Sequence, residues 1–175
     1  MNDTSSNTNP LYPGVNVPDK IIVHHTAYAS DVPQYPLVNE WHRLRGFPLS
    51  TLGSYVGYHY LIEKDGSFTQ CRSLTEGGAH TLGQNFTSVG ICMAGNFDTQ
   101  GPTSAQKSTL LALIKSVMIQ YPTITGSDIY PHRHFNKTSC YGSGLPDDFV
   151  QLEVKAFNDS ISMNPYLCTE GMIGK

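Results

Sequence analysis

His24 and His25 stand side by side at the end of the apolar run Ile21-Ile22-Val23. A second group of reactive residues lies far downstream, in the stretch Pro131-His132-Arg133-His134-Phe135-Asn136-Lys137-Thr138-Ser139-Cys140. A third is Gly57-Tyr58-His59-Tyr60. Zinc takes imidazole nitrogen and thiolate sulfur, and a catalytic zinc keeps three protein ligands with the fourth position open to water. One His from a strand end, with a His and a Cys from one loop, would make such a site. Each piece read alone is equally a structural feature: histidines are often partly buried without a catalytic task, and an isolated Cys140 reads as a small hydrophobe.

The elements that would position these groups follow from the pattern of the chain. Ile21–His25 reads as a strand, in which successive side chains point to opposite faces. His24 and His25 therefore cannot both serve one site. Pro33–Pro36 breaks the chain, and a helix follows over Leu37–Arg45, with Leu37, Val38, Trp41 and Leu44 on one face and Gly46 as its stop. Two β-rich runs, Tyr58–Glu63 and Phe68–Arg72, flank Asp65-Gly66 and predict a hairpin. Thr75–Phe86 is a Gly-rich loop carrying Glu76, expected to be exposed. Val89–Gly95 is a continuous apolar run, as in a central strand. Thr103-Ser104-Ala105-Gln106 has the form of a capping box and opens a helix whose stripe is Leu110, Leu111, Leu113, Ile114, Val117 and Met118. A short strand over Ser127–Tyr130, the loop Pro131–Pro146 and a last helix near Asp147–Asn158 complete the order. Strands interleaved with helices predict an α/β fold: one mixed sheet flanked by helices.

At 175 residues and 39% hydrophobic content the chain has material for one domain with a real core. We expect an irregular arm over 1–18, a catalytic domain over 19–160 and a tail over 161–175. The formal charge of −3 and the lack of a basic run argue against nucleic acid as a partner. No stretch is long and apolar enough to span a membrane. The polar start MNDTSSNTNP does not have the form of a secretory signal. Cys71, Cys92, Cys140 and Cys168 fit neither a paired CxxC site nor a dense disulfide framework, so reduced thiols are expected.

The ordered pieces IIVHHTA, Trp41-His42 in a helix, GYHYLIEKDGSF, EGGAH, SVGICMAGNF and HRHFNKTSC resemble the zinc-dependent N-acetylmuramoyl-L-alanine amidases of the phage-lysozyme and peptidoglycan-recognition type. The resemblance runs from about Ile21 to Cys140. It implies a Zn2+ ion on His24, His132 and Cys140, the step from His132 to Cys140 matching the family's spacing where His134 would not. It implies Tyr58 as the catalytic tyrosine, Thr138 at a position that carries Lys or Thr, and His80, Asn85 and His25 as candidate substrate contacts. His59 and His42 are expected to be structural. Departures are Cys92, where muropeptide-recycling members carry Glu, then His134 two residues after the second ligand, and Tyr141 where Pro follows the Cys. The cysteine pair of many animal recognition proteins is missing, which favours a phage or bacterial member. The implied reaction is hydrolysis of the amide between N-acetylmuramic acid and L-alanine, as in an endolysin. The alternatives are a non-catalytic peptidoglycan-binding protein and an antibacterial or virion-associated amidase. The implied partner is peptidoglycan, met by a monomer made in the cytoplasm and acting on the wall after lysis or specialised release.

Overall fold

The run Ile21-Ile22-Val23 is buried on both faces, which only a strand with cover on each side achieves. In the computed structural model, which describes residues 14–163, it forms β1 (Lys20–His25). The other strands are β2 (Tyr60–Ile62), β3 (Phe68–Gln70), β4 (Ser88–Met93) and β5 (Ile129–Pro131). They form one sheet in the order β3-β2-β4-β1-β5. β1 lies parallel to β4 and β5, β2 lies parallel to β4, and only β3 is antiparallel.

Three helices cover this sheet: α1 (Tyr35–Leu44), α2 (Ser104–Gln120) and α3 (Phe149–Met163). One face of the sheet, with Ile21, Val23, Ile62, Val89, Ile91 and Met93, packs on Leu110, Ile114 and Val117 of α2 and on Val150 and Val154 of α3. The other face presents Leu61 and Cys92 to Val38 of α1, with Trp41 and Tyr58 against them. Beyond α1 the same face runs on under the loop that carries His80.

The capping box of α2 is present in full. The Thr103 hydroxyl accepts from Gln106 N–H at 3.0 Å and the Gln106 side chain accepts from Thr103 N–H at 3.0 Å. The hairpin turns at Gly66, whose φ of 87° a side chain would resist. Helix α1 begins earlier than expected: Pro36 sits in its first turn, where the missing N–H costs nothing, instead of ending the chain before it. The Glu63 carboxylate accepts from Gln34 and Tyr35 N–H, capping α1 from β2. Leu44 proves exposed, and His42 takes the inward position. The strand expected over Ser127–Tyr130 is a 3-10 turn at Gly126–Asp128 followed by β5.

The expected arm ends sooner than residue 18. The Asn16 side chain is buried and donates to Leu74 and Ser88 carbonyls at 3.0 and 2.9 Å. At the other end, α3 runs past Asn158 into the segment expected as tail. Cys168 lies outside the described residues.

One close approach shapes this side of the sheet. A Cβ on Gly57 would stand 2.2 Å from the Ala79 carbonyl oxygen, to which no side chain can adapt. Ala79 N–H donates to Gly57 O at 2.9 Å, so the residue before Tyr58 and the residue before His80 are joined backbone to backbone.

Candidate metal centre

His24 is the fifth residue of β1, in register with Cys92 of β4, on the face that packs on α1. β5 lies beside β1, and the chain leaves it in a 3-10 turn at His132–His134. The turn sets His132 next to His24, with ring centroids 4.6 Å apart. The loop then returns: Arg133 N–H donates to Cys140 O at 2.7 Å, and the Arg133 guanidinium donates to the Gly142 and Leu145 carbonyls. Cys140 is thereby held against the strand end, where its Sγ accepts from His25 N–H at 3.4 Å. One donor atom each from His24, His132 and Cys140 lie within 4.8 Å of one another.

Two ligands held tetrahedrally by zinc at about 2.0 and 2.3 Å stand roughly 3.6 Å apart. His24 Nδ1 and Cys140 Sγ are separated by 3.6 Å. His132 Nε2 is engaged by the Asn136 side-chain oxygen at 3.0 Å, which leaves Nδ1 as its ligand atom. Burial holds the His24 imidazole well below its ordinary pKa, with His80 and His132 adding to the effect, and burial also lowers His132. Both rings are thus neutral, the form that binds metal. Burial pushes the Cys140 thiol up to about 12, against the pull of the His25 N–H and of Arg133. A metal must displace that proton, so binding should release it.

The remaining expected residues divide. Tyr58 stands over His24 with ring centroids 5.0 Å apart. Burial and the neighbouring Cys92 and Cys140 raise its pKa well above the usual tyrosine value, so it is a phenol at neutral pH. Thr138 is exposed on the rim, its hydroxyl accepting from Cys140 N–H at 3.2 Å. Phe47, Ala79, Asn85, His132 and Thr138 line a cleft of about 440 Å³, which His132 alone of the three donors borders. Asn85 also organises that cleft, its side-chain oxygen accepting from His80 and Thr81 N–H at 2.8 and 2.9 Å.

His25 does not join the cluster. Alternation sends it to the opposite face, where its Nδ1 accepts from Phe97 N–H at 3.0 Å and its ring packs on Phe97. His80 borders the cleft, but its Nδ1 turns inward to His24 Nε2 at 3.0 Å. His134 is exposed and stacks on Tyr130, so it brings no donor to the cluster. Glu76, expected as exposed loop, is buried and accepts from Thr51 and Ser73 N–H. Sequence reading missed Asn136, whose signal is its place one helical turn after His132. It also missed Arg72, which is wholly buried and gives no local signal.

His42 and His59 are structural. His42 Nδ1 accepts from Gly57 N–H, and His59 Nδ1 accepts from Gly90 N–H while its Nε2 bonds the Glu76 carbonyl. Burial lowers both from 6.5 to about 4. With folded values below unfolded ones, stability is whole above about pH 6.5 and drains as pH falls toward about 4, by up to about 3 kcal/mol per histidine. Calorimetry should show Tm falling steadily across that window. A Tm independent of pH there would show these rings are not buried neutral.

Two histidines, at the end of β1 and just after β5, and the cysteine of the returning loop give three N/S donors, the number a zinc ion takes when it keeps one position for water. The chain belongs to the N-acetylmuramoyl-L-alanine amidase family, whose model matches residues 14–143. It is 28% identical over 125 residues to peptidoglycan-recognition protein SC2 of Drosophila melanogaster, covering 71% of this chain and 68% of the relative. It is 32% identical over 108 residues to the endolysin of Klebsiella phage KP32, covering 59% of this chain and 66% of that endolysin. Among solved structures, the amidase LysC of Clostridium intestinale superposes with a TM-score of 0.67 at 33% identity, over 82% of this chain and 87% of LysC. The family and the mixed-sheet fold expected from the motifs are borne out.

Proposed function

We propose that the chain is a zinc-dependent amidase that cuts peptidoglycan between N-acetylmuramic acid and L-alanine, in the manner of a phage-type endolysin. The observation that carries this is the His24–His132–Cys140 donor set at zinc spacing, with His132 reaching the wall of the neighbouring cleft. Bound there, zinc polarises the scissile carbonyl and lowers the pKa of a water molecule.

The chain's own residues do the rest. His24, His132 and Cys140 would hold the ion, and Asn136 would fix the His132 tautomer by occupying Nε2. Tyr58, kept protonated by its surroundings, is a donor and not a base. Its ring stands beside His24, and in this reading its hydroxyl, which otherwise bonds toward Cys92, is the donor that stabilises the oxyanion developing as water attacks the amide. Thr138 offers a second hydroxyl on the rim, neutral where a lysine would add charge. Asn85 and the cleft it supports receive the stem peptide.

Relatives include recognition proteins, so a binding-only protein is the second reading. Retention of all three donors favours hydrolysis. Among the described residues no helix is long and apolar enough to cross a membrane.

Tyr58→Phe should keep its zinc and lower kcat by about 10²- to 10³-fold, the loss typical of one oxyanion donor. Muralytic assays of metal-loaded protein measure this. A variant with wild-type kcat would remove Tyr58 from the mechanism.

A further inference from the structure

We infer that His80 is a positioning residue for the metal ligand His24, acting through its ring and not by touching substrate. The inference rests on the metal-centre reading above.

His24 has two ring nitrogens. Nδ1 faces the Cys140 sulfur, and Nε2 lies 3.0 Å from His80 Nδ1. If Nδ1 gives its lone pair to a metal, the proton of neutral His24 sits on Nε2 and donates to His80 Nδ1. The reverse donation, from His80 to His24, would put a hydrogen on the ligand nitrogen and forbid metal binding. Only the arrangement in which His80 Nδ1 accepts leaves His24 able to coordinate.

The surroundings of His80 look built for this. A Cβ on Gly78 or Gly90 would come within 2.4 or 2.6 Å of the ring, so glycine on both sides leaves just enough room for the imidazole. Asn85 clamps the backbone N–H groups of His80 and its neighbour, and the Thr81 hydroxyl stands 3.0 Å from the same Nδ1. The arrangement leaves His80 Nε2 buried with no partner. With Nδ1 accepting, that nitrogen carries the ring proton unpaired, a cost the contact with His24 has to offset.

Three variants separate the roles. His80→Leu fills the space without an acceptor. His80→Gln carries its amide at the Nε2 end, away from His24. His80→Asn places an oxygen where Nδ1 stands. Zinc affinity is measured by competition with a chromophoric chelator, alongside circular dichroism of the metal-free proteins and the visible spectrum of the cobalt-loaded forms. The inference predicts a zinc Kd raised about 10- to 100-fold in His80→Leu and His80→Gln. It predicts a Kd within a few-fold of wild type, and a wild-type-like cobalt spectrum, in His80→Asn. Should His80→Leu not fold, the Gln and Asn pair makes the same comparison. Unchanged affinity in the Gln variant, or equal loss in all three, overturns the inference while leaving the metal centre in place. A raised KM at wild-type zinc affinity would make His80 a substrate contact and also overturn it. If wild-type protein binds no zinc, the metal-centre reading itself fails.

Discussion

Cys140→Ala should abolish amidase activity, lowering the rate at least a thousandfold, on the order of 4 kcal/mol in transition-state stabilisation. The thiol supplies one of three donors, and the two that remain, on His24 and His132, cannot enclose an ion. The fold should survive. Cys140 packs at the edge of the core, and its loop is tied down independently by Arg133, which reaches the Gly142 and Leu145 carbonyls. Removing a partly buried sulfur should cost the metal-free protein about 1 kcal/mol. Elemental analysis should therefore find about one zinc per wild-type chain and next to none in a variant that still unfolds cooperatively. Zinc retained at wild-type level with full activity would place the centre elsewhere.

The second large effect concerns the loops that carry Tyr58 and His80. Arg72 is wholly buried, and its guanidinium donates to Val56 O at 2.7 Å, Pro48 O at 2.6 Å and Gly77 O at 3.4 Å. These carbonyls belong to the loop before Tyr58 and the loop before His80. Arg72→Met keeps the length of the side chain and removes every donor. The buried Val56 and Gly77 carbonyls and the part-buried Pro48 carbonyl then lose their partner, and the nearby Glu76 carboxylate loses its compensating charge. The expected cost is about 3–5 kcal/mol, which in a domain of this size lowers Tm by roughly 10–15 °C. Activity should fall even well below the new Tm, because Tyr58 and His80 are carried by the two segments the arginine joins. A shift of only a degree or two would mean the loops hold themselves.

Arg72 also marks where sequence reading stops. A charged residue after a hairpin strand reads as exposed, and its burial depends on three carbonyls from two other segments, which no local pattern reveals. Glu76 was misread for the same reason. The clustering of His24, His132 and Cys140, by contrast, was legible. Alternation along β1 allowed only one of His24 and His25 to face one site, and motif spacing favoured His132 over His134. The capping box of α2 and the hairpin turn were equally plain, since both are made by residues three or four apart. His80 was legible as a residue at the cleft but not as a partner of His24. That depends on the loop carrying it folding back over Gly90 of β4, a long-range approach invisible in a window of neighbours.

The most direct test of the central claim is mass spectrometry of intact peptidoglycan digested by the zinc-loaded protein. Stem peptides with a free L-alanine amino terminus, released from glycan strands of undiminished length, are the predicted products. Shortened glycan, or opened cross-links with peptides still attached to muramic acid, would contradict the assigned bond.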